Sequence, residues 1–90
     1  MPKVILPNVL RAHAEDHRDV QVEGTDVGSV LQNLTERYPQ LREHLLESDG
    51  RLRNYVNVFV GDENIRDQED QKTAVGEHEE VLIVPALAGG

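Results

Sequence analysis

YVNVFV, at residues 55–60, is the clearest strand signal in this 90-residue sequence. The alternation places its three valines on one face of a strand and Tyr55, Asn57 and Phe59 on the other. The turn-forming pair Gly61-Asp62 ends the strand. A strand with one wholly aliphatic face needs an apolar layer packed against that face, so another element of the chain must supply it.

A helix that begins near Thr25 is the predicted partner layer. Its apolar residues recur at helical spacing and form one face: Val27, Val30, Leu31, Leu34 and Tyr38. Thr25 or Asp26 is suited to cap the start of the helix, and Pro39 ends it. Three leucines after this proline predict a further helical turn: Leu41, Leu45 and Leu46.

The remaining apolar segments predict the other strands of a sheet. Residues 3–6, 18–23 and 80–84 have strand patterns, and residues 64–66 form a weaker edge strand. The order is therefore strand, strand, helix, strand, weak strand, strand. One helix covers only one face of such a sheet, which predicts an α+β fold with Val56, Val58 and Val60 turned toward the helix.

The opposite face of the predicted sheet is too apolar to be left fully in water. Tyr55 and Phe59 lie on it, together with Leu82 and Val84 of the last strand. An exposed apolar patch of this kind indicates a surface that docks a partner protein. The alternative is that a loop, or the segment from Pro7 to Leu10, folds over it.

The charge of the chain restricts its partners. The formal net charge is −8, and residues 61–80 contain eight acidic residues and two basic ones. Because phosphate binding needs clustered Lys and Arg, this balance argues against nucleic acid. The acidic segment is interpreted as a solvated loop or as a docking surface for a basic partner. With neither an 18-residue apolar stretch nor a secretory leader, we expect a cytoplasmic protein without a membrane anchor.

The side chains offer little independent chemistry. The chain contains no cysteine and neither of the common glycine-rich phosphate-binding motifs, so we expect no bound cofactor and no catalysis of its own. His13 and His17 have the spacing of a zinc pair on a helix, but Glu15 is one position too late for the HExxH pattern. His44 and His78 are interpreted as isolated surface residues. No metal site is predicted.

The α-carboxylate of Gly90 is the one unusual reactive group. With a reference pKa of about 3.5 it is ionised at neutral pH and is a nucleophile toward an electrophilic phosphorus. Residues 86–90 span about 17 Å when extended, which is enough to enter a deep pocket of another protein. Gly89 and Gly90 carry no Cβ, Ala86 and Ala88 are small, and Leu87 is an apolar anchor.

The sequence resembles the ubiquitin-like β-grasp sulfur carriers over essentially its whole length. The resemblance rests on the order of the elements, on Asn57-Val58-Phe59-Val60-Gly61-Asp62, and on the segment from Val81 to the terminal Gly89-Gly90. It implies a mixed four- to five-stranded sheet with one main helix on one face. It also divides the chain into a β-grasp domain at residues 1–85 and a flexible tail at residues 86–90.

The resemblance also implies a mechanism. A ubiquitin-activating-type adenylyltransferase uses ATP and magnesium to adenylate Gly90, and a sulfur donor then converts the adenylate to a thiocarboxylate. Gly89, Ala88 and Leu87 thread into the partner. The stretch from Asn57 to Arg66 and the ending Pro85 to Gly90 are nearest to the carrier of thiocarboxylate-dependent cysteine biosynthesis. In that pathway the acceptor is an aminoacrylate on a synthase that contains pyridoxal phosphate (PLP), and a metal-dependent protease releases cysteine.

Several alternatives remain open at the level of the sequence. Similar carriers serve as the small subunit of molybdopterin synthase and supply sulfur for thiazole and other thio-metabolites. A ubiquitin-like protein modifier uses the same kind of tail, and a plain interaction domain would use only the face that contains Tyr55 and Phe59. Some family members carry residues beyond Gly-Gly that must be removed, and here the sequence ends at Gly90, either as a processed or as a truncated terminus.

Overall fold

A computed structural model describes residues 1–85, in which a five-stranded mixed sheet is covered on one face by helices. The strands are β1 (Lys3–Ile5), β2 (Asp19–Gln21), β3 (Val56–Val60), β4 (Glu63–Asn64) and β5 (Glu80–Pro85). The helices are α1 (Asn8–Arg11), α2 (Val27–Arg37) and α3 (Arg42–Leu45). The predicted α+β class, with one main helix and a mixed sheet, is confirmed. Residues 86–90, the predicted tail, lie outside the described residues.

The last described strand lies at the centre of the sheet. The order is β2-β1-β5-β3-β4, with β5 parallel to β1 and antiparallel to β3. In the register, Val4 lies opposite Val81, and Val58 lies opposite Ile83. A strand flanked on both sides needs apolar residues on its inner face, and Val81 and Ile83 are fully buried.

Asp26 fixes the start of the main helix. Its carboxylate accepts a 2.8 Å hydrogen bond from the backbone N–H of Ser29, and the Ser29 side chain contacts the Asp26 N–H in return. This reciprocal arrangement satisfies two amides that a helix start leaves without partners. The backbone and then the side-chain hydrogen bond from Ser29 lower the pKa of Asp26. The helix ends at Arg37, before Pro39, as predicted.

The core lies between the sheet and α2. The five predicted helix-face residues are all buried, and the Val56, Val58 and Val60 row of β3 is buried on the same side of the sheet. Thr35 is a buried polar residue, and its hydroxyl donates to the Leu31 carbonyl at 2.9 Å. Among the described residues, no buried side-chain nitrogen or oxygen atom lacks a hydrogen-bond partner, so no polar side-chain atom in the core is left without compensation.

Two local predictions differ from the structure. The edge strand predicted at residues 64–66 is β4 at Glu63–Asn64, and the chain then turns into a 3-10 helix at Ile65–Asp67. The reason is that Ile65 is fully buried, and the turn directs its side chain into the core. The strand predicted at residues 18–23 is shortened to β2. The predicted helical turn around Leu41 and Leu45 is confirmed as a 3-10 turn followed by α3.

Candidate functional site

The face of the sheet away from α2 presents an apolar row across three strands. Ile5 lies opposite Leu82, and Leu82 lies opposite Phe59. Val84 is in the next row, opposite Asn57. Leu82 and Val84 are 37% and 38% exposed, which is unusual for the central strand of a sheet. We call the surface formed by Ile5, Phe59, Leu82 and Val84 the outer face.

The segment from Pro7 to Leu10 borders the outer face without covering it. Leu10 is buried, whereas Val9 is 52% exposed. Pro7 and Val9, together with Leu82 and Val84, line an open apolar groove of about 340 Å³. The alternative prediction, that this segment folds over the face, therefore holds only in part, because the groove stays accessible to an apolar group of another molecule.

Of the four residues predicted to dock a partner, three lie within strands on the outer face and one lies in a turn. Phe59 and Leu82 form a cross-strand pair, and Val84 is two residues further along β5. Tyr55 precedes β3 in a turn and is 46% exposed. The structure thus brings Phe59, Leu82 and Val84 together on one face, and it places Tyr55 beside the start of the strand rather than within it.

Arg66 is a residue whose role the sequence did not reveal. Its Nη2 atom donates to the backbone carbonyls of Arg53 (3.1 Å), Asn54 (3.2 Å) and Val56 (2.7 Å). Its Nε atom lies 3.4 Å from Oδ1 of Asn57. One guanidinium therefore links the turn before β3 to the first residues of β3.

The acidic stretch from residue 61 to 80 is largely exposed in the structure. Asp67, Glu69 and Asp70 all lie on the surface around two 3-10 turns. Among the described residues, the only ion pair that reaches this stretch joins Glu77 to the amino terminus at 3.9 Å. The negative field is therefore little compensated locally, as expected both for a solvated loop and for a surface that docks a basic partner.

The histidines do not form the arrangement considered from the sequence. His13 lies in a short 3-10 helix that ends at Ala14, and the left-handed residues Glu15 and Asp16 separate this helix from His17, so the two imidazoles do not share a helix face. The interpretation of His44 as isolated is wrong, because its ring stacks on His13 with centroids 4.6 Å apart. Within residues 1–85, no cluster of three metal-ligating side chains occurs.

The residues predicted to carry sulfur and thread into a partner are Leu87, Ala88, Gly89 and Gly90, and they lie outside the described residues. The structure does show where the chain leads into them. Pro85 lies opposite Val56 at the end of β5 and contributes to the wall of the apolar groove. No helix in the described part of the chain has the length and apolar character needed to cross a membrane.

Known proteins from several organisms are similar to this chain over nearly its whole length. The sulfur carrier protein CysO of Mycobacterium tuberculosis is 35% identical over 89 residues, which cover 97% of this chain and 96% of CysO. A chain in the crystal structure of the BexX/CysO complex of Amycolatopsis orientalis is 27% identical, with a TM-score of 0.91 and complete coverage of both chains.

The small archaeal modifier protein 1 of Methanosarcina acetivorans is also similar to this chain. Its solution structure is 30% identical, with a TM-score of 0.87 and coverage of 98% of this chain and 94% of that protein. In addition, the profile of the ThiS family matches residues 4–90, which include all of the sheet except Lys3 and also the Gly-Gly ending. The chain therefore belongs to the ThiS family.

Proposed function

We propose that this chain is a sulfur carrier of cysteine biosynthesis that holds sulfur as a thiocarboxylate on Gly90. The observation that carries the proposal is the 35% identity to the sulfur carrier protein CysO over 97% of the chain. The fold supports it, because the central strand β5 leads directly toward the Gly-Gly ending.

The proposed chemistry proceeds in two steps at one carboxylate. A carboxylate oxygen of Gly90 attacks the α-phosphorus of ATP, and pyrophosphate leaves. Sulfide, delivered by a sulfur donor, then attacks the acyl carbon, and AMP leaves with the electron pair of the broken C–O bond. Because the chain has no glycine-rich phosphate loop, a partner of the ubiquitin-activating adenylyltransferase type must bind ATP and magnesium.

The sequence of the tail suits delivery of a carboxylate into an enclosed site. Gly89 and Gly90 have no side chain to obstruct a narrow channel, and Ala88 adds only a methyl group. Leu87 supplies one apolar contact. In this proposal the acceptor enzyme is a PLP-dependent cysteine synthase whose aminoacrylate takes up the sulfur, and a metal-dependent protease later releases cysteine from the tail.

The outer face is the proposed docking surface for these enzymes. Phe59, Leu82 and Val84 combine apolar character with partial exposure, and Tyr55 adds an exposed aromatic ring near the start of β3. The tail follows Pro85, which lines the same groove as Leu82 and Val84. A partner bound to this face is therefore adjacent to the point from which the tail begins.

Intact-mass spectrometry tests the proposal. After co-expression with the activating enzyme and a sulfide source, we expect a mass increase that corresponds to replacement of one oxygen by sulfur. A variant with one residue added after Gly90 is the matched control, and it should keep the fold and show no increase because the carboxylate is displaced from the site of adenylation. An unchanged wild-type mass, under conditions that convert CysO, would refute the proposal.

Protein conjugation is the second candidate function. The 30% identity to the small archaeal modifier protein 1 favours it, since that protein is named as a modifier. Only Lys3 and Lys72 are available for chain formation, so single attachments to other proteins are the expected form. High-mass covalent adducts in cell extracts that depend on Gly90 would support this function, whereas a thiocarboxylate without adducts would support the carrier function alone.

A further inference from the structure

On one of its two sides, the strand β3 lacks a neighbouring strand along three of its five residues. On one side β5 pairs with it from Val56 to Val60. On the other side β4 pairs only with Phe59 and Val60. The first residues of β3 therefore have a sheet edge on that side, and any backbone group directed there needs another partner.

The register shows that the carbonyl of Val56 is one such group. The N–H of Gly61 donates to the carbonyl of Glu80 at 3.0 Å, which makes these residues a hydrogen-bonded pair. Hydrogen-bonded and non-hydrogen-bonded pairs alternate in an antiparallel ladder, so the Val56 and Pro85 pair is non-hydrogen-bonded. Proline has no N–H, and in a non-hydrogen-bonded pair the ladder between β3 and β5 does not require one from Pro85. The carbonyl of Val56 is for the same reason directed away from β5.

Arg66 supplies the missing partner. Its Nη2 lies 2.7 Å from the Val56 carbonyl, on a residue that is fully buried, and the same atom reaches the carbonyls of Arg53 and Asn54. The N–H of Val56 is satisfied separately by the Arg53 carbonyl at 3.0 Å. The guanidinium thus satisfies the Val56 carbonyl at the open edge of β3, where β4 does not reach.

We propose that Arg66 is a positioning residue for transfer of sulfur to and from the tail. By bracing Val56 it holds the strand opposite Pro85, and so it fixes the position of the residue after which the tail begins. This inference rests on the proposed carrier function. It concerns neither the docking surface nor the reacting carboxylate, because Arg66 acts through the backbone of β3.

The expected loss of activity in an Arg66 variant follows from the backbone order that Arg66 maintains at the end of β5. Without the brace, the last pairs of β3 and β5 open more often, and Pro85 must then be ordered again before a partner can bind the residues that follow it. Ordering one additional backbone residue disfavours an equilibrium roughly tenfold. Since the outer face remains intact, we expect docking to be unchanged. The loss should appear as a smaller fraction of docked complexes that go on to react.

Steady-state activation kinetics of Arg66 variants test the inference. For Arg66→Met we expect a roughly tenfold lower kcat with the activating enzyme and a KM within about twofold of wild type. Arg66→Lys should recover part of the loss, since an ammonium can donate to the Val56 carbonyl but lacks the planar fork. Arg51→Met is the matched control: it removes one positive charge that lines the same surface cavity, and it should behave as wild type.

Hydrogen exchange provides a second measurement that does not depend on sulfur transfer. The amides of Asn57 and Val84, which face each other in the register, should exchange faster in Arg66→Met than in the Arg51→Met control. Wild-type exchange and kcat in folded Arg66→Met would overturn the inference, and so would a raised KM with unchanged kcat, which would indicate direct contact with the partner. If Arg66→Met fails to fold, Arg66→Lys decides. Failure of the wild-type protein to gain sulfur would refute the carrier function. The hydrogen-exchange rates of Asn57 and Val84 would then still show whether Arg66 braces β3 against β5.

Discussion

Replacing the exposed apolar residues of β5 with polar ones should weaken docking while leaving the chemistry of the tail unchanged. In the double variant Leu82→Gln and Val84→Thr, both side chains keep their approximate shape and lose apolar surface on the outer face. Complete burial of a leucine or valine side chain contributes about 1.5–3 kcal/mol. The two residues are still 37% and 38% exposed, and this exposed surface is what remains for a partner to cover.

The expected loss follows from these values. Each residue contributes about 0.6–1 kcal/mol to docking, or about 1.5 kcal/mol together, if the partner buries the remaining surface completely. A difference of this size corresponds to a roughly tenfold rise in KM for the activating enzyme, with kcat unchanged. The substitutions should cost less than about 2 kcal/mol of the free energy of unfolding, because they change only partly exposed positions.

Steady-state kinetics over a range of carrier concentrations, with denaturant unfolding in parallel, would measure both effects. Leu82→Met is the matched control, since it changes the side chain and retains apolar surface, and its KM should stay close to that of wild type. An unchanged KM for a folded double variant would refute the assignment of the outer face as the docking surface. A lower kcat with unchanged KM would show that these residues act after docking.

Three further results are expected from changes elsewhere in the domain. Asp26→Ala should cost about 0.5–2 kcal/mol in denaturant unfolding, because the Ser29 amide loses its cap, while Asp26→Asn should retain most of that stability. Because the pKa of Asp26 is lower in the folded state, its ionised carboxylate stabilises the fold at pH values above the unfolded-state pKa of about 3.9. This contribution should disappear as the pH falls through the lowered pKa. When the free energy of unfolding is measured against pH, Asp26→Asn should therefore lose less stability in acid than wild type. Gly24→Ala should cost more than about 2 kcal/mol, since a Cβ there would lie 2.6 Å from a Val30 methyl group, whereas Gly61→Ala, with no atom within 4 Å, should cost about 1 kcal/mol; equal midpoints of unfolding would contradict this reasoning.

The elements that could be predicted well from the sequence are those in which apolar residues recur at a regular helical or strand spacing. The helix face that includes Val30 and Leu34 and the alternation along β3 both appear in the structure, because each pattern requires one buried side. The outer face followed from the same alternation, which placed Phe59 and Leu82 away from the helix. Membership of the sulfur-carrier family was indicated mainly by the ending after Val84, a motif that no periodicity reveals.

The features that were missed depend on pairs of residues distant in sequence. His13 and His44 stack although 31 positions separate them, and nothing local marks either residue for this contact. The role of Arg66 depends on how far β4 extends, since its guanidinium is needed only where that strand ends. Ile65 had the pattern of a strand residue, but burial in the core placed it in a 3-10 turn instead.

The central position of β5 also affects how the chain reaches its folded state during synthesis. β1 pairs with residues 80–82, and β3 pairs with residues 81–85. The half of the sheet formed by β1 and β2 and the half formed by β3 and β4 are therefore joined only after β5 has left the ribosome. Contacts of such long sequence separation form late and slow folding. Because Leu82 and Val84 belong to the same strand as the buried Val81 and Ile83, a nascent chain that stops before residue 80 lacks both the strand that closes the core and two of the four residues of the outer face.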